Sequence, residues 1–168
     1  GPKTFFIHGN RDFLIGEFFA QETGITLLPD PYTLDINNQK VVVSHGDFLC
    51  TDDEGYMKFR NEVRTEQWQS NFIQKDLDER KQIAAALRAD SKAATSIKSN
   101  AITDVNPASV DVFIEEYKPD LFIHGHTHRP DVHDMGSCKR VVLGDWGSYG
   151  WFLTIDGQDF NLEKFSIS

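Results

Sequence analysis

His126 and His128 flank Thr127 in the run Ile123-His124-Gly125-His126-Thr127-His128-Arg129-Pro130. Alternate imidazoles beside a glycine that lets the backbone bend can converge on a divalent cation. Two shorter runs upstream carry further donors: Gly9-Asn10-Arg11-Asp12 offers an amide carbonyl, and His45-Gly46-Asp47 a third imidazole. Each follows an apolar run that reads as a strand entering a loop, so one sheet edge can gather all three. Taken singly, an Asn after Gly is an ordinary turn residue, a His-Gly-Asp is a capped turn, and paired histidines can be solvated. The three together make a candidate metal centre, whose imidazole and amide-oxygen donors suit manganese, iron, zinc or nickel.

The order Gly-Asn, then His, then Gly-His-x-His resembles the calcineurin-like metallophosphoesterases. Most of that superfamily has histidine after the Asn, where this chain has Arg11. With Cys50-Thr51-Asp52-Asp53, Arg88-Ala89-Asp90-Ser91-Lys92, Lys98-Ser99 and Asp104-Val105-Asn106, the chain is similar over nearly its whole length to the UDP-2,3-diacylglucosamine pyrophosphatase family of lipid A biosynthesis. The resemblance implies an α/β fold: a two-sheet αββα sandwich with a helical cap insertion. Residues 1–51 and 100–168 would form the phosphoesterase core and 52–99 the cap. It also implies the reaction, which is hydrolysis of the diphosphate of UDP-2,3-diacylglucosamine to UMP and 2,3-diacylglucosamine 1-phosphate by a dimetal-activated water.

By the same resemblance Asn10, His45 and His126 ligate one divalent ion and His128 the other, with manganese expected for both. Arg11 cannot replace a histidine as an acid, but its guanidinium can fork two hydrogen bonds onto a phosphate. Asn10, Arg11, Asp53, Tyr56, Ser91, Thr95, Lys98 and His126 match family positions that contact the substrate. Asp131-Val132-His133 has the spacing of the family's opening Asp-x-His but follows the double histidine, so it is excluded as a site.

Two departures qualify the picture. The family's opening Asp-x-His strand and Gly-Asp motif, which supply the bridging carboxylate, have no counterpart before Asn10. The resemblance therefore implies a fragment lacking the first third of a domain of roughly 200 to 250 residues, with little activity in isolation. The second departure is the stretch around Gln67 to Ala86, where Gln69, Asn71, Gln74, Lys75, Asp76, Asp78 and Glu79 replace a more apolar surface. Peripheral attachment to the inner membrane is weakened accordingly, and Trp68, Phe72, Ile73 and Leu77 are left to line an acyl groove. Two rival readings stay open: another phosphoesterase acting on nucleotides or phosphodiesters, and a metal-free binding scaffold.

Composition narrows the classes. A net charge of -9 argues against nucleic-acid binding, which needs basic clusters. Two cysteines are too few for a disulfide framework or a cysteine-rich zinc site, so a reducing, cytoplasmic setting is expected. No apolar stretch approaches the length of a membrane span.

The elements that must position these residues follow from periodicity. Thr4 to Ile7 reads as a buried strand, and Phe13 to Glu22 as a helix ended by Thr23-Gly24. Ile25 to Leu28, Tyr32 to Ile36 and Val41 to Ser44 read as strands, with Asn37-Asn38 as a turn and the last strand delivering His45. Between Asp52 and Ser99 the spacing of Tyr56, Phe59, Val63, Trp68, Phe72, Leu77, Ile83 and Leu87 predicts two or three amphipathic helices. Pro107 opens another helix behind Asn106 as N-cap. Strands follow at Leu121 to Ile123, Val132 to His133, Arg140 to Leu143, Trp151 to Ile155 and Phe160 to Phe165.

Overall fold

Alternation along Gln39–Ser44 sorts the molecule into layers: Val41 and Val43 face one way, Val42 and Ser44 the other. A computed structural model describes residues 1–99 and 101–167; the expected limits at residues 100 and 168 lie outside them. The strand Gln39–Ser44 (β4) sits in a five-stranded sheet with Tyr32–Ile36 (β3), Leu121–His124 (β5), Asp131–Asp134 (β6) and Lys139–Val142 (β7), in the order β3-β4-β5-β7-β6. β4, β5 and β7 run parallel, and both edges are antiparallel. β5 is buried along all four residues, as a central parallel strand covered on both faces must be.

On one face the helix Pro107–Tyr117 (α5) packs Val110, Phe113 and Ile114 onto Val42 and Phe122, with Leu49 and Cys138 closing the cluster. Asn106 caps α5 by accepting from the Ser109 amide, and Pro107 at the first turn forgoes a donor that would be orphaned anyway. The opposite face carries Val41, Leu121, Ile123 and Val141 beneath Leu153, Ile155, Phe160 and Leu162 of the hairpin Tyr149–Asp156 (β8) and Asp159–Ser166 (β9). Sheet lies on sheet, with α5 outside: the expected sandwich. The β3–β4 turn is Asn37-Asn38, both at positive φ as a tight hairpin requires.

Two expectations fail near the N-terminus. Thr4–Ile7 (β1) is half-exposed, with Phe5 51% accessible, because it pairs in parallel with Ile25–Leu28 (β2) alone. The first helix spans Glu17–Thr23 (α1), not Phe13 onward. Asp12 accepts from the Gly9 amide at 2.5 Å and its carbonyl from Ile15 N at 2.9 Å, which turns Phe13 and Leu14 out of helical geometry. Phe18 and Phe19 are exposed and only Ala20 is buried, so the apolar spacing marks no core face. Gly24 ends α1 at φ 72 as anticipated.

Three helices occupy the insertion: Glu54–Val63 (α2), Glu66–Ile73 (α3) and Leu77–Ile97 (α4). Asp53, Thr65 and Asp76 cap them by accepting from the amides of Tyr56, Trp68 and Glu79. Of their apolar stripe only Val63 is buried. Of the rest, Tyr56, Phe59, Trp68, Phe72 and Leu87 face a cavity, Ile83 is half-buried, and Ile73 and Leu77 are more than half exposed. The expectation that Ile73 and Leu77 line a groove is thus corrected: they fall on the outer side of the turn between α3 and α4.

Candidate functional site

Three strand ends deliver three loops to one place. β1 runs into Gly9-Asn10, β4 into His45-Gly46-Asp47, and β5 into Gly125-His126. The Gly125 amide donates to the His45 carbonyl at 3.1 Å, extending the β4–β5 pairing one step into the loops. Gly9 lies so close to His45 that a Cβ there would meet Cε1 at 3.2 Å. Gly46, at φ 91, has room for no Cβ at all, since one would sit 2.8 Å from His124 Nδ1. The glycines of these runs are what let the three loops touch.

His45 Nε2 and His126 Nδ1 stand 3.1 Å apart, with ring centroids at 4.9 Å and planes at 74°. Two nitrogens each about 2.0 to 2.1 Å from one cation, at right to tetrahedral angles, would be about 2.8 to 3.4 Å apart. Protonation favours the same use. Burial, then the neighbouring His45, pushes His126 down to about 4, and burial lowers His45 despite the carboxylates of Asp47 and Asp30. Both imidazoles are neutral near pH 7 and keep a lone pair to donate. The donor set therefore fits a divalent ion.

The backbone at these residues is strained. His126 has φ 67 and His128 φ 56, and the Thr127 amide donates to the Gly125 carbonyl at 2.8 Å, a three-residue turn centred on His126. Positive φ in a residue bearing a Cβ is uncommon and clusters at functional sites. His128 is exposed, while Asn10 is half-buried, next in sequence to the Gly9 that abuts His45. Among the described residues no three or more of His, Cys, Asp and Glu close around a single point.

A cavity of about 520 Å³ opens between the β1 loop and α2–α4, and His126, expected to contact substrate, stands outside its lining. Phe13, Leu14, Phe59, Trp68, Phe72 and Leu87 give it an apolar wall, and Trp68 stacks on Phe72 at 5.1 Å. Its polar rim holds the expected Asn10, Arg11, Asp53, Tyr56, Ser91, Thr95 and Lys98. Lys98 donates both 2.7 and 2.8 Å bonds to the Asp53 carboxylate, joining the end of α4 to the start of α2. Tyr56 lays its ring 5.1 Å from that of His126 and links cavity to histidines. Asp131 and His133 lie in β6, part of a separate groove of about 480 Å³ behind α5.

Several participants escaped the sequence reading. Asp30 accepts from Ser44 Oγ at 2.6 Å and from the His45 amide at 3.3 Å, holding the β4 loop. His124 is buried, and Arg140 Nη1 donates to its Nε2 at 2.9 Å, so Nδ1 carries the proton toward the Gly125 carbonyl. Burial pushes His124 down to about 4. Asp47, wholly buried, accepts from the Tyr56 hydroxyl at 2.6 Å and pairs with Arg60 at 3.0 Å and Arg64 at 3.6 Å. Its place in His-Gly-Asp was the one available signal.

Comparison with known proteins accords with this geometry. The family model described as calcineurin-like phosphoesterase matches residues 1–130. A protein of Enterobacter sp. (strain 638) named UDP-2,3-diacylglucosamine hydrolase is 48% identical over 98% of this chain and 70% of its own length. Proteins of the same name from Tolumonas auensis and Ectopseudomonas mendocina are 45% and 42% identical, over 96% and 100% of this chain and 68% and 71% of theirs. With strand-end histidines paired beneath a helical insertion, the chain belongs to the calcineurin-like phosphoesterases, in the branch of the UDP-2,3-diacylglucosamine hydrolases.

Proposed function

We propose that this protein hydrolyses the diphosphate of UDP-2,3-diacylglucosamine, releasing UMP and 2,3-diacylglucosamine 1-phosphate in lipid A biosynthesis. One observation carries the reading: an apolar-walled cavity whose polar rim adjoins two neutral, converging imidazoles. A substrate with acyl chains on one side of its diphosphate and a nucleotide on the other needs such a junction.

Asn10, His45 and His126 would hold one divalent ion and His128 a second, with manganese as the expected species for both. When bound, such ions neutralise phosphoryl oxygens and lower the pKa of a water nucleophile. The chain's own residues do the rest. Arg11 projects at the cavity rim, where its planar fork can take two oxygens of the diphosphate. Asp53 and Lys98 fix the rim and face the glucosamine with Ser91 and Thr95 from α4. Phe59, Trp68, Phe72 and Leu87 exclude water from the acyl chains, each buried methylene contributing about 0.8 kcal/mol.

In this reading residues 1–51 and 100–168 are the catalytic core and 52–99 the cap. No described helix is long and apolar enough to cross a membrane. We propose a cytoplasmic setting, with contact to the inner membrane peripheral and weakened by the hydrophilic surface of α3 and α4. The test is UMP release by the intact gene product with added Mn2+. UDP-2,3-diacylglucosamine should be consumed far faster than bis(p-nitrophenyl) phosphate or unacylated UDP-glucosamine. Equal rates on all three would return the protein to the general phosphodiesterases.

A further inference from the structure

Asp47 lies on the loop that presents His45, yet its bonds run to the cap. Its Oδ2 accepts from the Tyr56 hydroxyl and faces Arg60 and Arg64, on α2 and its C-cap. Its Oδ1 is buried and accepts no hydrogen bond from the described residues, so what holds the carboxylate among them comes from α2 and its C-cap. Arg64 in turn donates to the Gly9 carbonyl at 3.0 Å, on the loop that carries Asn10 and Arg11. A carboxylate wholly out of water is costly unless paired. Here the partners span three separate pieces of chain: the β4 loop, the first cap helix and the β1 loop.

We infer that Asp47 is a positioning residue that sets the register of the cap on the catalytic loops, holding Tyr56 against His126 and Arg64 on Gly9. Without it the α2 face would present two arginines to each other and to a buried acceptor site with no charge. The cap would then be free to shift relative to His126 and Asn10. Tyr56 shows what is fixed: its hydroxyl is committed to Asp47, which leaves its ring, and not its oxygen, to meet substrate and the His126 imidazole. The catalytic part of this inference rests on the diphosphate-hydrolase reading above; the structural part does not.

The test is Asp47→Asn, which keeps the shape and removes the charge. Hydrogen exchange on the chain, without substrate or metal, should show α2 and the Gly9–Asp12 loop exchanging faster together by about tenfold or more, the loss of one charge-assisted bond. β5 and α5 should keep their protection. Unchanged exchange in α2 and the loop overturns the inference, and so does a uniform rise through β5 and α5. Should Asp47→Asn fail to fold, Arg64→Gln carries the test: faster exchange in Gly9–Asp12 supports the tie, and none overturns it. In the intact gene product, KM for the diacyl substrate should rise about tenfold with kcat within about twofold of normal. A fall in kcat with KM unchanged would place Asp47 in the chemistry and overturn the positioning role. Coupled exchange in a protein that never hydrolyses this lipid would support the tie and sink the substrate reading alone.

Discussion

His45 and His126 bring ring nitrogens from loops 81 residues apart in sequence to within 3.1 Å. The parallel pairing of β4 with β5 does this, because Ser44 and His124 are register partners and the loops leave the sheet side by side. Shifting either strand by one residue would turn the histidine to the other face.

His128 completes the proposed donor set from an exposed position. His128→Ala in the intact gene product should lower turnover at least about 100-fold, since even residues that merely orient metal ligands cost about 10- to 100-fold when lost. Circular dichroism should be unchanged, because no core packing is removed. Normal turnover in the folded variant would assign this histidine to solvent.

Arg11→Lys tests the phosphate fork. Lysine keeps the charge but loses the planar pair of donors. Hydrolysis of UDP-2,3-diacylglucosamine should fall about 10- to 100-fold, the equivalent of about 1.5 to 3 kcal/mol for one charge-assisted bond. A small activated diester should suffer less, and metal content should be untouched. Equal losses on both substrates would make Arg11 part of the general chemistry.

His124 makes stability depend on pH. Its folded pKa of about 4 lies below the ordinary 6.5, so between these values the unfolded chain binds the extra proton. Stability is full above pH 6.5 and is lost as pH falls toward 4, on the order of 3 kcal/mol from this residue. Urea midpoints measured from pH 7 to 4.5 should fall in the wild type. In His124→Gln, whose carbonyl can still accept from Arg140, the slope should flatten. Parallel slopes would mean that His124 titrates normally.

Phe122 is fully buried on the α5 side of β5, its ring tilted 36° against that of Phe113 at 4.6 Å. Phe122→Ala should destabilise by about 3 to 5 kcal/mol, read from the urea midpoint. A loss below about 1 kcal/mol would show that this face packs more loosely than its burial implies.

Strands, the Asn37-Asn38 turn and the Asn106 cap could be read from the chain because their signals are local. The loop donors were legible for the same reason, each being a glycine-punctuated end to an apolar run. The start of α1 was not: Asp12 folds Phe13 and Leu14 into a turn, and their helical spacing is used to wall a cavity. Ile73 and Leu77 misled in the opposite sense, since an apolar side chain does not reveal which side of a helix has a neighbour. Asp47 was visible as part of a motif, but Tyr56, Arg60 and Arg64 reach it only after α2 has docked. A tertiary partner set of that kind leaves no periodic trace.

The Lys98–Asp53 pair clasps the two ends of the insertion at 2.7 Å. Everything between them is, topologically, a closed bight whose entry and exit are fixed independently of what lies inside. Closing a longer or shorter bight costs little, about 0.6 kcal/mol for each doubling of length. The helices beyond α2 can thus carry hydrophilic surface, as α3 and the start of α4 do with Gln69, Asn71, Asp78 and Glu79, while the histidine loops below keep their footing. The distal helices and the chemistry at the phosphate are then free to vary as separate traits, joined through the Lys98–Asp53 clasp and the Asp47 cluster on α2.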